Sequence, residues 1–331
     1  MVSLVVLAAG SALGAGAYHV ERSRSIQPPS VQRTADGWIV TAHNQREFSG
    51  LALSDGGLFW QNGAAIEYLR LDDGRLRLLG PGPGMRTTWD PAAADRYVVW
   101  FEAERQESLA ARAVVYDTRS GRRRPLADVG SVRSYPSVSG DVAVWCSARA
   151  IGEPSVNGLR IGRGATFEVA PGDGAPVVSG GLVVWATSWT GPFVAAELAS
   201  GASWPVTAGL PGGRLTGLAL AGRTLVWGQS PDAAGSGVVS AVSVDGGETT
   251  TIAEDVTGLS GPAYDGRTIV WGERTAGGAR VMAAGADGGE VSQIAVAEGE
   301  VTEVAVRGDT VAWIAATTAT QHQIVVARLP R

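Results

Sequence analysis

Glu102 and Glu273 are the two carboxylates in the sequence that could form an acid–base pair, provided that their side chains meet across a shared cleft. Other residues in the same class of connecting segment could contact a ligand without reacting with it. Together with the two glutamates, the candidate binding residues are Arg133, Tyr135, Arg149, Glu153, Trp189, Gln229 and Arg274. Simple exposure to solvent is the alternative explanation for each of them, and none is expected to be catalytic.

The absence of lysine excludes two common kinds of site. All 27 basic residues are arginine, so there is neither a lysine for a Schiff base nor the lysine of a P-loop. The sequence also lacks a Gly-x-Ser-x-Gly nucleophile motif, a calcium-binding loop and the cysteine–histidine spacing of a metal site. A net charge of −5 gives no reason to expect a nucleic acid. We therefore expect no cofactor and no metal, and a binding protein rather than an enzyme.

Cys146 is the only cysteine, so the chain cannot form an internal disulfide. It follows Trp145 at the end of an apolar segment, where a small hydrophobic side chain would pack. We interpret it as a buried structural residue and not as a nucleophile.

A repeated phrase provides the elements that would position these residues. Its clearest copy is Val177–Trp185, in which a short strand, a glycine turn and a second apolar strand end in tryptophan. The equivalent tryptophans are spaced by 40, 45, 40, 42, 44 and 42 residues. A period of about 40–45 residues with four strands per unit is typical of a β-propeller blade. The tryptophans that we expect to pack between blades are Trp60, Trp100, Trp145, Trp185, Trp227, Trp271 and Trp313.

The connections between the strands of a unit fall into two classes. In an up-and-down blade, the first-to-second and third-to-fourth connections lie on one face of the propeller. They are short here, as at Ser139–Asp141, and we call this side the short-loop face. The other connections lie on the opposite side, the long-loop face, where function on a repeat scaffold is usually found. Its longest segments are Glu102–Arg112, which has helical character, Ser147–Gly158, Ala186–Phe193, Gly228–Gly237 and Gly272–Gly278.

The phrase Ser-Gly-Asp-x-x-x-Trp at Ser139–Trp145 is followed by a strand that ends near Asp, Thr or Gly and by a short Leu-Ala or Ile-Ala strand. This pattern resembles the repeats of TolB-like periplasmic β-propellers, over about residues 37–331. The resemblance rests on residues that form blades, and the separate N-terminal domain of TolB has no counterpart here. It therefore implies the fold and an extracytoplasmic binding scaffold, but not the partners of TolB.

The N-terminal segment predicts export. Residues 1–17 contain the uncharged apolar run Val2–Ala17, which ends in Ala15-Gly-Ala17 like a signal-peptidase site. The run is shorter than the roughly 20 residues that span a bilayer, although an uncleaved membrane anchor is the alternative. Residues 18–36 are interpreted as a linker and residues 37–331 as the propeller. We expect a secreted, periplasmic or envelope-associated protein.

The two ends of the chain predict how the ring closes. The last unit has only three strands, Val301–Val306, Thr310–Ile314 and Gln323–Leu329, whereas the strand Trp38–Ala42 precedes the first unit. A ring that stayed open would expose a sheet edge. We therefore predict an all-β, seven-bladed β-propeller with four-stranded antiparallel blades, the last of which is closed by the N-terminal strand.

The same closure would bring His43 and His322 close together on the long-loop face. Two histidines alone do not form a zinc site, which usually has three or four ligands, and no cysteine lies in the nearby sequence. A metal site is therefore not expected there.

On these grounds the sequence predicts a monomeric, non-catalytic scaffold that binds a protein or a cell-envelope component through the long-loop face. The alternative is a carbohydrate-binding module, or a glycan-active lyase or hydrolase, that uses the same face. A lectin would need aromatic side chains at the mouth, where Trp189 is the only plain candidate. A hydrolase would need two carboxyls with separated pKa values in a cleft.

Overall fold

The computed structural model describes residues 29–42, 48–105, 110–148, 153–188, 190–208, 213–231, 236–318 and 321–329. The regular elements within these ranges are all β-strands, so the predicted all-β class is confirmed. In chain order they are β1 (Ser30–Arg33), β2 (Trp38–Thr41), β3 (Phe48–Ser54), β4 (Gly57–Asn62), β5 (Ala65–Arg70), β6 (Leu76–Leu78), β7 (Thr87–Ala93), β8 (Tyr97–Ala103), β9 (Ala111–Asp117), β10 (Arg122–Val132), β11 (Ser137–Ser139), β12 (Val142–Ala148), β13 (Pro154–Arg160), β14 (Ala165–Pro171), β15 (Val177–Ser179), β16 (Leu182–Ala186), β17 (Phe193–Glu197), β18 (Ser203–Val206), β19 (Arg214–Ala221), β20 (Thr224–Ser230), β21 (Ser236–Ser243), β22 (Thr250–Thr257), β23 (Ser260–Tyr264), β24 (Thr268–Thr275), β25 (Gly278–Gly285), β26 (Ser292–Ala297), β27 (Glu300–Arg307), β28 (Thr310–Thr318) and β29 (Gln321–Arg328).

Four sheets of four strands each have the form expected of a single propeller blade. They consist of β3–β6, β15–β18, β19–β22 and β23–β26, and consecutive strands pair antiparallel. The second strand of such a sheet is apolar at consecutive positions because both of its faces are covered. In β16, for example, all five residues are buried.

The strands β7–β14 form one continuous sheet of eight strands instead of two separate blades. The joining strand is β10, which pairs with β9 and then, through Ser131 and Val132, with Ser147 and Ala148 of β12. Register shifts after Pro125 and after Asp128 bend β10 away from β9, as β-bulges do. The prediction of seven separate four-stranded blades is therefore wrong. Within the described residues, five sheets are separate blades and the remaining strands merge.

The fifth separate blade contains both ends of the chain, in the order β1-β2-β29-β28-β27. Strand β2 pairs antiparallel with β29, from Trp38 opposite Val326 to Thr41 opposite Gln323. The predicted closure by the N-terminal strand is thus confirmed. Strand β1 adds a fifth strand to this sheet, so part of the segment interpreted as a linker is structured.

The ladder of this closing sheet ends where the two histidines were expected to meet. The backbone N–H of Ala42 donates to the carbonyl oxygen of His322 at 3.0 Å. His43 lies outside the described residues, and the predicted contact between the two histidine side chains therefore stays a prediction.

The first strands of the repeats lie around a common axis. Strands β3, β7, β11, β15, β19, β23 and β27 contact one another in this order, and β27 contacts β3 again. The core lies between neighbouring sheets. The repeat tryptophans are at most 4% exposed there, as expected for aromatic residues that fill the space between stacked sheets. This arrangement is that of a β-propeller.

The predicted long connections are shorter than expected, because the flanking strands extend into their ends. Strand β24 continues to Thr275 and β25 begins at Gly278, so Gly272–Gly278 is mostly strand. Strands β8 and β9 also take up both ends of Glu102–Arg112. The helical turn expected in that segment falls on residues 106–109, which lie outside the described residues, as does the apolar run Val2–Ala17.

Candidate functional site

Four polar side chains from four neighbouring repeats meet near the axis of the ring. Ser49 belongs to β3, Asp90 to β7 and Glu303 to β27, whereas Tyr135 precedes β11. They interact with one another directly or through their charges. We call these four residues the carboxyl cluster.

The strands that carry the cluster are irregular where its residues occur. A β-bulge re-aims a side chain and leaves backbone groups free to bond elsewhere. Here the bulges turn polar residues and free backbone N–H groups toward the cluster. The register shifts lie between Ser49 and Ala52, between Trp89 and Ala92, and between Val301 and Glu303.

Asp90 is the most enclosed member of the cluster, with 7% of its surface exposed. The hydroxyl of Ser49 donates to Asp90 Oδ1 at 2.7 Å, and the hydroxyl of Tyr135 donates to the same carboxyl group. Burial raises the pKa of Asp90 to about 6, against the opposing effect of these two hydrogen bonds.

Glu303 reaches across from β27 to the backbone of β3. Its Oε2 accepts a hydrogen bond from the N–H of Leu51 at 2.9 Å, and its carboxyl group also accepts one from the N–H of Gly50. Burial, followed by the negative charge of Asp90, raises the pKa of Glu303 to about 8.

Gly50 is the point at which β3 passes between the two carboxyls. Its φ is +66°, a conformation that favours glycine. A Cβ atom at this position would lie 2.3 Å from the Cβ of Asp90. The cluster therefore requires glycine here for both conformation and space.

The cluster exchanges protons near neutral pH. Burial, and then the charge of Asp90, raises the pKa of Tyr135 above its usual range, so the hydroxyl remains a donor. Because burial raises the pKa of both Asp90 and Glu303, and the charge of Asp90 raises that of Glu303 further, the pair favours retention of a proton near neutral pH. The described residues contain no group of three or more His, Cys, Asp or Glu side chains that could hold a metal ion.

Glu102 and Glu273 are not brought together. Each lies on the second strand of its own sheet and is buried, with 1% and 7% of its surface exposed. In both cases the indole Nε1 of the tryptophan two residues earlier donates to Oε1 of the glutamate at 2.8 Å. Arg123 and Arg280 then bind the respective carboxylates. These glutamates stabilise the interior of their sheets, and their arrangement does not form a shared cleft.

The other predicted binding residues have different positions. Gln229 is buried, and its Nε2 donates to the carbonyl oxygen of Gly213 at 2.9 Å. Glu153 is exposed. Two arginines form exposed ion pairs at 3.0 Å between neighbouring repeats, namely Arg133 with Asp173 and Arg274 with Glu300. Arg149 and Trp189 lie outside the described residues, whereas Tyr135 belongs to the carboxyl cluster.

The turns of the short-loop face bind one another. Ser139 and Ser179 each accept, through Oγ, a backbone N–H of the next repeat, from Gly180 at 3.0 Å and Gly222 at 2.9 Å. Asp265 accepts the N–H of Gly308 at 2.7 Å in the same way. These bonds give the serine or aspartate before the turn glycine a structural role.

Arg307 continues these contacts across the closing sheet. Its guanidinium binds Asp55 at 2.7 Å and also binds Asp95. One side chain thereby connects β27 with the turns that follow β3 and β7, in three successive repeats on the short-loop face.

Sequence reasoning missed Ser49, Asp90 and Glu303. A signal is present in the sequence, because Asp90 precedes Pro91 inside a first strand and Glu303 lies within the otherwise apolar segment Val301–Val306. A carboxylate in a strand that packs around the axis must find a partner there.

Comparisons with known proteins agree with the geometry at the level of the fold. No protein-family model matches the chain, and no curated protein matches it in sequence. The described residues contain no helix long and apolar enough to cross a membrane.

Several solved structures have a similar architecture. The β-propeller domain of the Trilobed protease from Pyrococcus furiosus, reported to have an open velcro topology, is 10% identical, with a TM-score of 0.66 over 85% of this chain and 95% of that one. Oligogalacturonate lyase in complex with manganese is 12% identical, with a TM-score of 0.64 over 92% and 97%. TolB from Acinetobacter baumannii is 11% identical, with a TM-score of 0.50 over 80% of both chains. At such identities the likeness concerns the fold alone, and the chain is similar to known β-propellers.

Proposed function

We propose that this protein is a non-catalytic, extracytoplasmic binding propeller of the TolB-like kind that contacts a protein or a cell-envelope component through its long-loop face. The observation that carries the proposal is the difference between the two faces. On the short-loop face, polar groups of neighbouring turns bind one another. On the long-loop face, the connections between the described strands vary in length, and the ion pairs Arg133–Asp173 and Arg274–Glu300 between neighbouring repeats are exposed to solvent.

The exposed charges of the long-loop face favour a polar partner. Arg133 and Arg274 are 37% and 47% exposed, and their carboxylate partners Asp173 and Glu300 are 52% and 55% exposed. Exposed ion pairs of this kind contribute about 0–1 kcal/mol each. A partner can therefore replace one member of such a pair at little cost, and complementary charge would direct its approach.

Export is the second part of the proposal. It is supported by the apolar run Val2–Ala17 and its small residues at Ala15 and Ala17. The likeness to TolB is compatible with this location. Full-length protein recovered from the cytosol of the source cells would contradict it, whereas a mature chain beginning near Tyr18 would support it.

Site-specific photo-cross-linking in the source cells tests the binding face. A photoreactive amino acid is placed at Glu153 on the long-loop face and, as the matched control, at Ser120 in an exposed short-loop turn. We expect one discrete cross-linked product from position 153 and none from position 120. The product should weaken when Arg274→Glu reverses another exposed charge on the same face. Equal products from both faces, or none from position 153, would contradict the proposal.

A glycan-active hydrolase is a second candidate, favoured by one observation. Asp90 and Glu303 have pKa values of about 6 and about 8, which would suit a base and an acid near neutral pH. The test is the release of reducing sugar from a panel of polysaccharides by the full chain. A hydrolase should lose about a hundredfold or more of its rate in Glu303→Gln. Without any release by the unmodified protein, this candidate is rejected.

A further inference from the structure

We propose that the carboxyl cluster stabilises the closure of the ring in a proton-dependent way, and we call it a latch for that reason. It links the last repeat to the first three while the Asp90–Glu303 pair retains a proton. The link weakens when both carboxyls are ionised. The proposal concerns the stability of the ring and is independent of any partner on the long-loop face.

The position of the cluster is the first argument. Glu303 and Leu51 are 252 residues apart in the chain, and their hydrogen bond joins the last repeat directly to the first. Ser49, next to this bond, then donates to Asp90 of the following repeat, and Tyr135 of the next repeat donates to Asp90. The cluster therefore links four successive repeats at the point where the two ends of the chain meet.

The composition of the cluster is the second argument. Among the described residues, the titratable groups that interact with the two carboxyls are the carboxyls themselves and Tyr135. The donors supplied by β3 are neutral, namely the Ser49 hydroxyl and the N–H groups of Gly50 and Leu51. No cation among the described residues balances the charge of the pair.

The charged groups elsewhere on the surrounding strands have their own partners. On β27, Glu300 binds Arg274 near one end and Arg307 binds Asp55 at the other. In the segment before β11, Arg133 binds Asp173. None of these pairs contributes to the pKa shift of Asp90 or Glu303.

Ionisation of both carboxyls would place two like charges in an enclosed site. An unpaired buried charge is strongly unfavourable, and a second one beside it adds repulsion. Retaining one proton avoids the repulsion and gives the pair one more hydrogen-bond donor. The folded ring therefore binds protons that the open or unfolded chain releases.

The direction of the pH dependence follows from this difference in proton binding. Both folded-state pKa values lie above those of unfolded carboxyls, so the stabilisation is complete below about pH 4. It is lost as pH rises through about 6 for Asp90 and about 8 for Glu303. Between pH 6 and pH 8.5 the main change is the ionisation of Glu303.

Thermal unfolding of the full chain, followed by circular dichroism, is the first test. We expect the melting temperature of the unmodified protein to fall by about 5 °C between pH 5.5 and pH 8.5. Glu303→Gln keeps an oxygen acceptor for Gly50 and Leu51 but cannot ionise, and should remove most of this fall. The matched control is Glu300→Gln, an exposed carboxylate on the same strand, which should leave the fall unchanged. If Glu303→Gln melts with the same pH dependence as the unmodified protein, the latch is disproved.

Hydrogen exchange provides a test that requires no variant. The backbone N–H of Leu51 donates a hydrogen bond to Glu303. We expect its protection factor, corrected for the intrinsic exchange rate, to fall about tenfold or more between pH 6 and pH 8.5. The amides of β16, in a sheet remote from the closure, serve as the internal reference and should change less. Equal change at both places would mean that the whole fold, and not a latch, responds to pH.

Discussion

Trp100 donates its indole N–H to Oε1 of Glu102 at 2.8 Å, and Arg123 binds the same carboxylate from the neighbouring part of the sheet. Trp271, Glu273 and Arg280 repeat this arrangement in another repeat. Glu102 and Glu273, which the sequence analysis places in exposed loops, are thus each the centre of a buried hydrogen-bond network. Its replacement should affect stability more than binding.

The two networks differ in the exposure of their arginines, and we therefore expect the two glutamates to contribute unequally to stability. Arg123 is 25% exposed, whereas Arg280 is 44% exposed and can turn to solvent when its partner is lost. Glu102→Ala should therefore destabilise the protein by about 3 kcal/mol, the lower end of the range for a broken buried ion pair. Glu273→Ala should cost only about 1–2 kcal/mol. Chemical denaturation measures both, and a larger loss for Glu273→Ala would contradict this account.

Gly50→Ala should be among the most damaging glycine substitutions in the described residues. The new Cβ would approach the Cβ of Asp90 to 2.3 Å, in addition to the strain of φ +66°. Gly140 is the matched control, since its φ is +56° but no atom lies within 4 Å of the added Cβ. Gly140→Ala should cost about 1–2 kcal/mol from strain alone, and Gly50→Ala roughly twice as much or more. Similar losses in urea denaturation would show that the space beside Asp90 is not limiting.

The spacing of the tryptophans predicts the β-strands and the propeller class, and the missing fourth strand of the last unit predicts the closure of the ring by the N-terminal strand. Each prediction depends on residues close in sequence or on an edge that must be paired. The merger of two repeats through β10 depends instead on bulges at Pro125 and Asp128, which no periodicity reveals. The blade count was therefore wrong, while the antiparallel pairing of β2 with β29 was predicted correctly.

The candidate site is harder to predict from the sequence than the fold, because its contacts join residues that are distant in the chain. Glu102 and Glu273 come directly after strongly apolar segments of the sequence. In the structure, β8 and β24 extend through them, so both residues are buried in strands and not exposed in loops. The carboxyl cluster combines residues that are distant in the chain, such as Asp90 and Glu303. Their contact depends on the closed ring and on register shifts, neither of which a local motif encodes.

Cys146 should react slowly with thiol reagents in the native protein. Its surface is 1% exposed, and burial, followed by the charge of Asp173, raises the pKa of the thiol to about 12. Only about 1 in 10,000 molecules would carry a thiolate at pH 8. A chromogenic disulfide reagent should therefore label the native chain at least about a hundredfold more slowly than the guanidinium-denatured chain. Comparable rates in the two states would mean that Cys146 is reactive and not only a packed residue.

The N-terminal strands offer a test of closure that separates β2 from β1. Strand β2 joins β29 and buries Val40, whereas β1 pairs only with β2 and is mostly exposed. A chain that begins at Thr34 should keep the oligomeric state of the full chain and lose about 1 kcal/mol or less, as expected for removal of an exposed edge strand. A chain that begins at Asn44 should unfold several degrees lower and should associate, because the unpaired edge of β29 can pair with another copy. Light scattering after size-exclusion chromatography and thermal unfolding measure both effects. Equal behaviour of the two truncated chains would show that β2 does not hold the ring closed.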